Sequence, residues 1–244
     1  VSERLHLPDV TLFLLDTIVH DLSRLALRDT LRRIEPGAIV IVSDRDIRDE
    51  HTASARWIYH EPFSDRRAIE PFGWRVAPDF IQTSHALTIQ WDGWVLDQHQ
   101  WMGSWLDLDF IGAPWNLPGP YKVGNGGFCL QSRRLIKYVQ HHLSFQPGEI
   151  PSDDLLCRTY RPDLERTGFR WALLDTAFQF SVETWIPAGH KGSFGYHGLW
   201  NWPLFLTRDE IAERLPFCNE YVRSTPMWGA FVLACRQRGY EFVK

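Results

Sequence analysis

Residues 10–15 (VTLFLL) and 38–42 (AIVIV) are continuous apolar runs, and each stops on polar residues: Asp16-Thr17 after the first, Ser43-Asp44 after the second. A run with no polar alternation reads as a strand covered on both faces. Between them, residues 21–33 carry Leu22, Leu25, Ala26 and Leu31 at helical spacing, and Pro36-Gly37 is expected to stop that helix. Strand, helix and strand with short links make a βαβ unit, whose fixed handedness gives a parallel pair. Ligands of such sheets gather beyond the carboxyl ends of the strands, which puts Asp16, Thr17 and Asp44 on one rim.

Residues 45–80 are rich in Arg, Asp, Pro and His and read as irregular, apart from a short strand at 57–59. An irregular stretch of that length in a compact domain is often functional. Residues 85–91 (HALTIQW) are a third buried strand, followed by Asp92-Gly93 and the apolar Trp94-Val95-Leu96. Residues 101–106 read as a helical turn and 109–113 (DFIGA) as a short strand ended by Pro114. The glycine cluster 123–128 (VGNGGF) leads into a strand at 128–131, and Ser132 caps a helix through about residue 142. Asp153-Asp154 open another helix, a strand is expected at 169–173, and Thr207 with Glu210 forms a capping box for a C-terminal helix.

Composition removes several function classes. The chain has 244 residues, 44% apolar and 23% charged, which excludes disorder for most of it. Residues 1–122 carry a net charge of −6 and the remainder +2, so neither half is a basic footprint for nucleic acid. No apolar run approaches the roughly 18–20 residues of a membrane span, and no basic segment leads into an apolar one as a secretory signal requires. A chain that starts on Val1 reads as trimmed or as a piece of a longer protein. Cys129, Cys157, Cys218 and Cys235 match no zinc or redox spacing and read as buried free thiols of a reducing compartment. The 12 tryptophans suit either a core or flat faces for sugar rings. The phosphate loop G-x-x-x-x-G-K-[ST], the dinucleotide loop G-x-G-x-x-G, the H-E-x-x-H zinc motif and the G-x-S-x-G elbow are all absent.

What remains is a set of carboxylates, a glycine loop and a late histidine. Asp92 is either a carboxylate bridging a hard cation to a diphosphate or the turn former of an Asp-Gly pair. Asn125-Gly126-Gly127 lets backbone approach a ligand or allows positive φ in a tight turn. Asp153 and Asp154 are a general base with its orienting partner, or charge that complements a helix N-terminus. His197, within FGYHG, completes a metal site, touches phosphate, or is structural.

Taken in order, VTLFLLDT, the SD after the second strand, HALTIQWDGWVLD, DFIGAPW, VGNGGFCLQSRRL, SDDLLCRTYRPDLE and FGYHGLWN resemble an uncharacterised bacterial domain family related to the GT-A glycosyltransferases, over about residues 8–202. The resemblance implies one GT-A-like (Rossmann-like) α/β domain over 1–244, with a mostly parallel central sheet flanked by helices. Its nucleotide-sugar donor half would span about 1–115 and its acceptor or catalytic half about 116–244. The implied activity is transfer of a sugar, with inversion, from a nucleotide-sugar donor (UDP-type favoured) to a hydroxyl of a glycan or lipid-linked glycan in bacterial polysaccharide biosynthesis. The implied place is the cytoplasm, free, peripheral at the inner membrane, or within a larger protein. No nucleic acid and no transmembrane segment enter this reading.

The resemblance also implies site residues. Donor contacts are Asp16, Thr17, Asp44, Gln90 and Trp91, and acceptor contacts are Trp115, Asn125, Gly126 and Gly127. A divalent metal, Mn2+ or Mg2+, falls to Asp92 and His197, although position 94 is Trp where a D-x-D motif would place its second acid. Asp153 is the base, with Asp154 as its substitute if the helix register differs, and Ser152 stands where the family pattern has Glu. Two other readings keep the fold: a catalytically degenerate domain that binds glycans or partners, and a metal-dependent sugar-nucleotide hydrolase.

Overall fold

The computed structural model describes residues 3–63, 78–143 and 151–240. Its centre is a sheet of six strands: β1 (Leu5–Leu15), β2 (Ile34–Ser43), β3 (Arg56–Tyr59), β4 (His85–Ile89), β5 (Phe110–Gly112) and β6 (Cys129–Ser132), in the order β3-β2-β1-β4-β6-β5. β1 to β4 pair in parallel, and β6 runs antiparallel to both β4 and β5. The mostly parallel sheet with flanking helices is the architecture expected. Because β6 lies between β4 and β5, the sheet interleaves the two halves of the chain.

The unbroken apolar run of β1 has the predicted cause. Val10, Leu12 and Leu14 enter the main core with Leu22, Ala26 and Leu27 of helix α1 (His20–Leu31). Phe13 enters a second core on the opposite face, with Val40, Val42, Ala86 and Ile136. Ile136 belongs to helix α2 (Arg133–His142), whose first turn is capped by Ser132 Oγ accepting from the Leu135 N–H at 3.0 Å. Leu14 is fully buried. Leu14→Ala is expected to cost about 3 kcal/mol through lost transfer energy and a residual cavity, read as a drop in Tm of roughly 6–12 °C by thermal melting.

Several boundaries differ from expectation. Pro36-Gly37 lies inside β2, and the chain turns earlier, at Arg32-Arg33, where the Leu5 N–H donates to the Arg33 carbonyl. β3 pairs with Val40–Ser43, so among the described residues the first part of β2 has no strand on that side, where a proline is tolerated. The expected strand at 169–173 is absent. Only Trp171 bridges to Phe110, because the Leu173–Leu174 step already opens a helix, Leu174–Phe180. The helical turn expected at 101–106 is a 3₁₀ turn over Gly103–Asp107. Of the irregular stretch expected at 45–80, residues 64–77 lie outside the described residues. The four cysteines are free and buried, and burial pushes their thiols up, Cys129 to about 12.

Two features fasten the late chain to the rest of the domain. A parallel pair of two-residue strands, β7 (Ser181–Val182) and β8 (Gly195–Tyr196), is joined to the segment after β4 by the Val95–Gly195 bridge and by the Leu96 N–H donating to the Phe194 carbonyl. The capping box of Thr207 and Glu210 starts the helix Arg208–Arg214, whose Arg214 pairs with Asp29 of α1. No described helix is long and apolar enough to cross a membrane.

Candidate functional site

β4 ends at Ile89, and the Gly93 N–H donates to the Gln90 carbonyl at 3.1 Å to close a tight turn. That turn presents Asp92, which is 2% exposed. The β7–β8 pairing carries the chain one residue further to His197, whose N–H donates to the Val182 carbonyl at 3.0 Å, while the Gly198 N–H donates to the Asp92 carbonyl at 3.0 Å. His197 is 3% exposed, and its Nε2 lies 3.2 Å from Asp92 Oδ1 and 3.1 Å from Gln90 Oε1. On the other side of the ring, Nδ1 lies 3.0 Å from Glu183 Oε1 and 3.1 Å from Asn125 Nδ2. Burial opposes a charge on this imidazole, but Asp92 and Glu183 outweigh it, and its pKa is pushed up to about 10.

The glycine loop closes over this ring. Asn125 sits at φ 58°, and its Oδ1 accepts from the Gly127 and Phe128 N–H groups at 3.2 Å each, which fixes the amide with its nitrogen toward His197. A Cβ on Gly127 would stand 2.1 Å from His197 Nε2, so only glycine lets the backbone lie this close. One residue earlier, the Gly126 N–H donates to Asp153 Oδ2 at 3.0 Å. The loop therefore touches the Asp153 carboxylate through Gly126 and the His197–Asp92 pair through Gly127.

The acidic pair divides. Asp153 Oδ1 accepts from the Asp154 N–H at 2.9 Å, and the half-buried Asp153 carboxylate faces the loop. Asp154 turns away to Arg158, 3.1 Å distant. After this pair the helix Ser152–Asp154 loosens into a π-helical turn over Leu155–Thr159, a local geometry frequent at functional sites.

The remaining expected residues fall into two groups. Thr17 and Asp44 lie just past β1 and β2, on the same carboxyl rim as Asp92. Thr17 Oγ1 accepts from the Phe63 N–H at 3.2 Å, and Asp44 Oδ1 pairs with His20 Nε2. Asp16 is occupied locally: its oxygens accept from the Ile18 and Val19 N–H groups and from Ser23 Oγ, so it shapes the β1–α1 loop. Trp91 packs edge-on to Trp202, with ring centroids 6.3 Å apart. Trp115 is 9% exposed within a core cluster, and its ring fills the space where a Cβ on Gly124 would stand, so it backs the glycine loop.

Sequence reasoning missed Glu183. It is 8% exposed, and Asn201 Nδ2 donates to its carbonyl at 2.9 Å and to the His197 carbonyl at 2.7 Å, binding the two segments together. Its only sequence signal is an acid directly after the short Phe180-Ser181-Val182 segment.

The family described as "Protein of unknown function (DUF5672)" matches residues 75–197, just over half of the chain. The chain belongs to this family. The DUF5672 match contains Gln90, Asp92, Asn125, Asp153, Glu183 and His197, every side chain of the cluster above. Comparison with curated proteins gives no match. Among solved structures, the galactosyltransferase LgtC in complex with donor and acceptor sugar analogues is similar over 93% of this chain and 95% of its own, at TM-score 0.51 and 10% identity. The mannosyltransferase PcManGT from Pyrobaculum calidifontis, in complex with GDP-Man and Mn2+, is similar over 96% of this chain and 74% of its own, at TM-score 0.45 and 10% identity. The likeness to LgtC gives this DUF5672 chain a GT-A-like fold.

Proposed function

We propose that this chain is a glycosyltransferase, moving a sugar from a nucleotide-sugar donor, UDP-type favoured, to a hydroxyl of a glycan or lipid-linked glycan. The single observation that carries the reading is the glycine loop: its adjacent glycines contact the Asp153 carboxylate and the His197–Asp92 pair, so acid and histidine share one place at the carboxyl end of the sheet. The donor nucleotide lies along the rim of Thr17, Asp44, Gln90 and Trp91, in the half of about 1–115. The acceptor lies by Asn125, Gly126 and Gly127, with Trp115 behind them, in the half of about 116–244.

A divalent ion, Mn2+ or Mg2+, fits the donors present. Among the described residues no group of three His, Cys, Asp or Glu side chains is placed to hold one, so Asp92 and His197 would be the pair to hold it. Two atoms 3.2 Å apart have about the spacing of neighbouring ligands on an ion bound at roughly 2.0–2.2 Å. Glu183 on the far nitrogen would hold the Nδ1 proton, and an ion on Nε2 would have to displace the proton that Nε2 gives to Asp92. The bound ion supplies neutralisation of the departing diphosphate.

Asp153 removes the acceptor proton as the hydroxyl attacks from the face opposite the nucleotide, which inverts the anomeric centre. The Gly126 N–H fixes Asp153 Oδ2, and Asp154 stays on Arg158 and leaves the proton to its neighbour.

A second reading, a fold that binds glycans or partners without transfer, is favoured by the pairing of the nearly inaccessible Asp92 and His197 with each other. The test is a panel of nucleotide sugars with Mn2+, with nucleoside diphosphate release measured with and without glycan acceptors. Acceptor-dependent release from one donor is the expected result. No release, with no calorimetric binding of any nucleoside diphosphate, would overturn the transferase reading and favour the second.

A further inference from the structure

We propose that a cavity at the amino end of β4 is a second binding site, for a neutral sugar residue, held by the side chains of Arg170 and Asp107. It goes beyond the transferase reading and does not rest on it, because a sugar bound here lies away from the place of transfer. His85 opens β4, Ser132 closes β6 directly beside it, and Asp109 stands just before β5. All three are at the end of the sheet opposite Asp92. The cavity they help to line has a volume of about 460 Å³, inside the roughly 300–1,000 Å³ of small-ligand sites.

Its frame is fixed. The buried Asp109 carboxylate accepts from the Ser132 hydroxyl, from Arg134 Nε at 3.1 Å and from the Arg170 N–H at 2.9 Å. The Arg170 carbonyl in turn accepts from the Asp109 N–H at 2.7 Å, so the root of the Arg170 side chain is clamped. Arg134 also donates to the Gly168 carbonyl at 3.1 Å, and its guanidinium lies over the Phe169 ring at 4.5 Å. His85 Nε2 lies 3.0 Å from the Leu108 carbonyl, which ties down the segment that carries Asp107. The Arg170 and Asp107 side chains themselves are exposed. Among the described residues neither has a hydrogen-bond or ion-pair partner, although both line the cavity.

The charges select the ligand. Arg134 and Asp109 neutralise each other, and Arg170 and Asp107 add one charge of each sign. Burial holds the His85 pKa below its usual value against the pull of Asp109, Asp9 and Asp107, so that ring adds no charge. A phosphate would gain Arg170 but be repelled by Asp107, and a cation would meet the reverse. Adjacent sugar hydroxyls suit both groups, since a hydroxyl accepts from a guanidinium and donates to a carboxylate. The half-buried Leu106 and Leu108 line the same cavity and offer apolar surface to the C–H face of a sugar ring.

The experiment follows binding of lactose, maltose and the methyl glycosides of glucose, galactose and mannose to the full chain, by saturation-transfer NMR and calorimetry. The wild type is compared with Arg170→Ala and Asp107→Ala. At least one of these sugars is expected to bind, and each substitution is expected to weaken it about tenfold or more, the worth of hydrogen bonds to a charged group. Both side chains are exposed and without partners, so both variants should melt with the wild type, and lost binding then reports a lost contact. Equal affinity in the wild type and both variants would put the sugar elsewhere and overturn the proposal. No binding of any of these sugars by the wild type, or displacement of the bound sugar by inorganic phosphate, would overturn it as well. Nucleoside diphosphate binding at the other end of the sheet should be the same in all three proteins. Failure here therefore leaves the transferase reading standing, and failure of that reading leaves this site standing.

Discussion

Asp153→Asn is expected to lower the rate of sugar transfer by about 10²–10⁴-fold, the range that general-base assistance typically contributes. The substitution keeps size and shape but removes the proton acceptor. Its structural cost is small and calculable in kind: Asp153 accepts one backbone N–H on each oxygen, from Gly126 and from Asp154, and an amide can accept only one of them. Losing one such bond at a half-buried site costs about 1 kcal/mol, so Tm should fall by only a few degrees. Steady-state kinetics decide the matter, because a loop-holding role would raise KM and leave kcat near its original value. Asp154→Asn should cost much less, since its carboxylate is already spent on Arg158. If the two variants lose activity equally, the proton does not go to Asp153.

Asp92→Asn should produce the largest loss of stability among single polar substitutions at the site. His197 is enclosed between Asp92 and Glu183, and the pair is almost wholly out of water. Removing one partner of a buried pair leaves the other charge uncompensated, at a cost of about 3–5 kcal/mol. For a domain of this size that corresponds to a Tm lower by roughly 6–20 °C, measured by calorimetry without added metal. Glu183 still faces the imidazole, which places the expectation nearer the lower end. A Tm within about one degree of the wild type would mean that the pair contributes no more than an exposed ion pair does. The same variant should lose Mn2+ binding, since it removes the carboxylate proposed to hold the ion.

The strands that frame the site were legible because each is covered on both faces. Leu12 and Phe13 look into different cores, so no polar alternation interrupts the run. Ser132 and the Thr207–Glu210 box were legible because capping is a local contact, settled within three residues. The positive φ expected of Gly126-Gly127 falls instead on Asn125, and Gly127 serves the other reading, close approach of backbone. What local pattern could not carry was the contact between distant segments. Glu183 meets His197 only because β7 and β8 pair, and two-residue strands leave no periodicity to read. The strand expected at 169–173 failed for the converse reason: apolar Trp171 and Ala172 are buried against β5 but add only the single Trp171–Phe110 bridge to it. Asp16 looked like Asp44 from its place after a strand, but its carboxylate closes its own loop, a choice set by Ser23 seven residues on. Trp115 offered a ring for a sugar by composition, and packing under Gly124 uses that ring within the protein.

The most direct measurement is a crystal structure of the full chain grown with Mn2+ and a nucleoside diphosphate. The account predicts an anomalous manganese peak bound by Asp92 and His197, the diphosphate on that ion beside the rim of Thr17 and Asp44, and the Asp153 carboxylate facing the open side of the diphosphate across Gly126. A diphosphate seated elsewhere on the chain, or one bound here with Asp153 on the far side of the glycine loop from it, would contradict it.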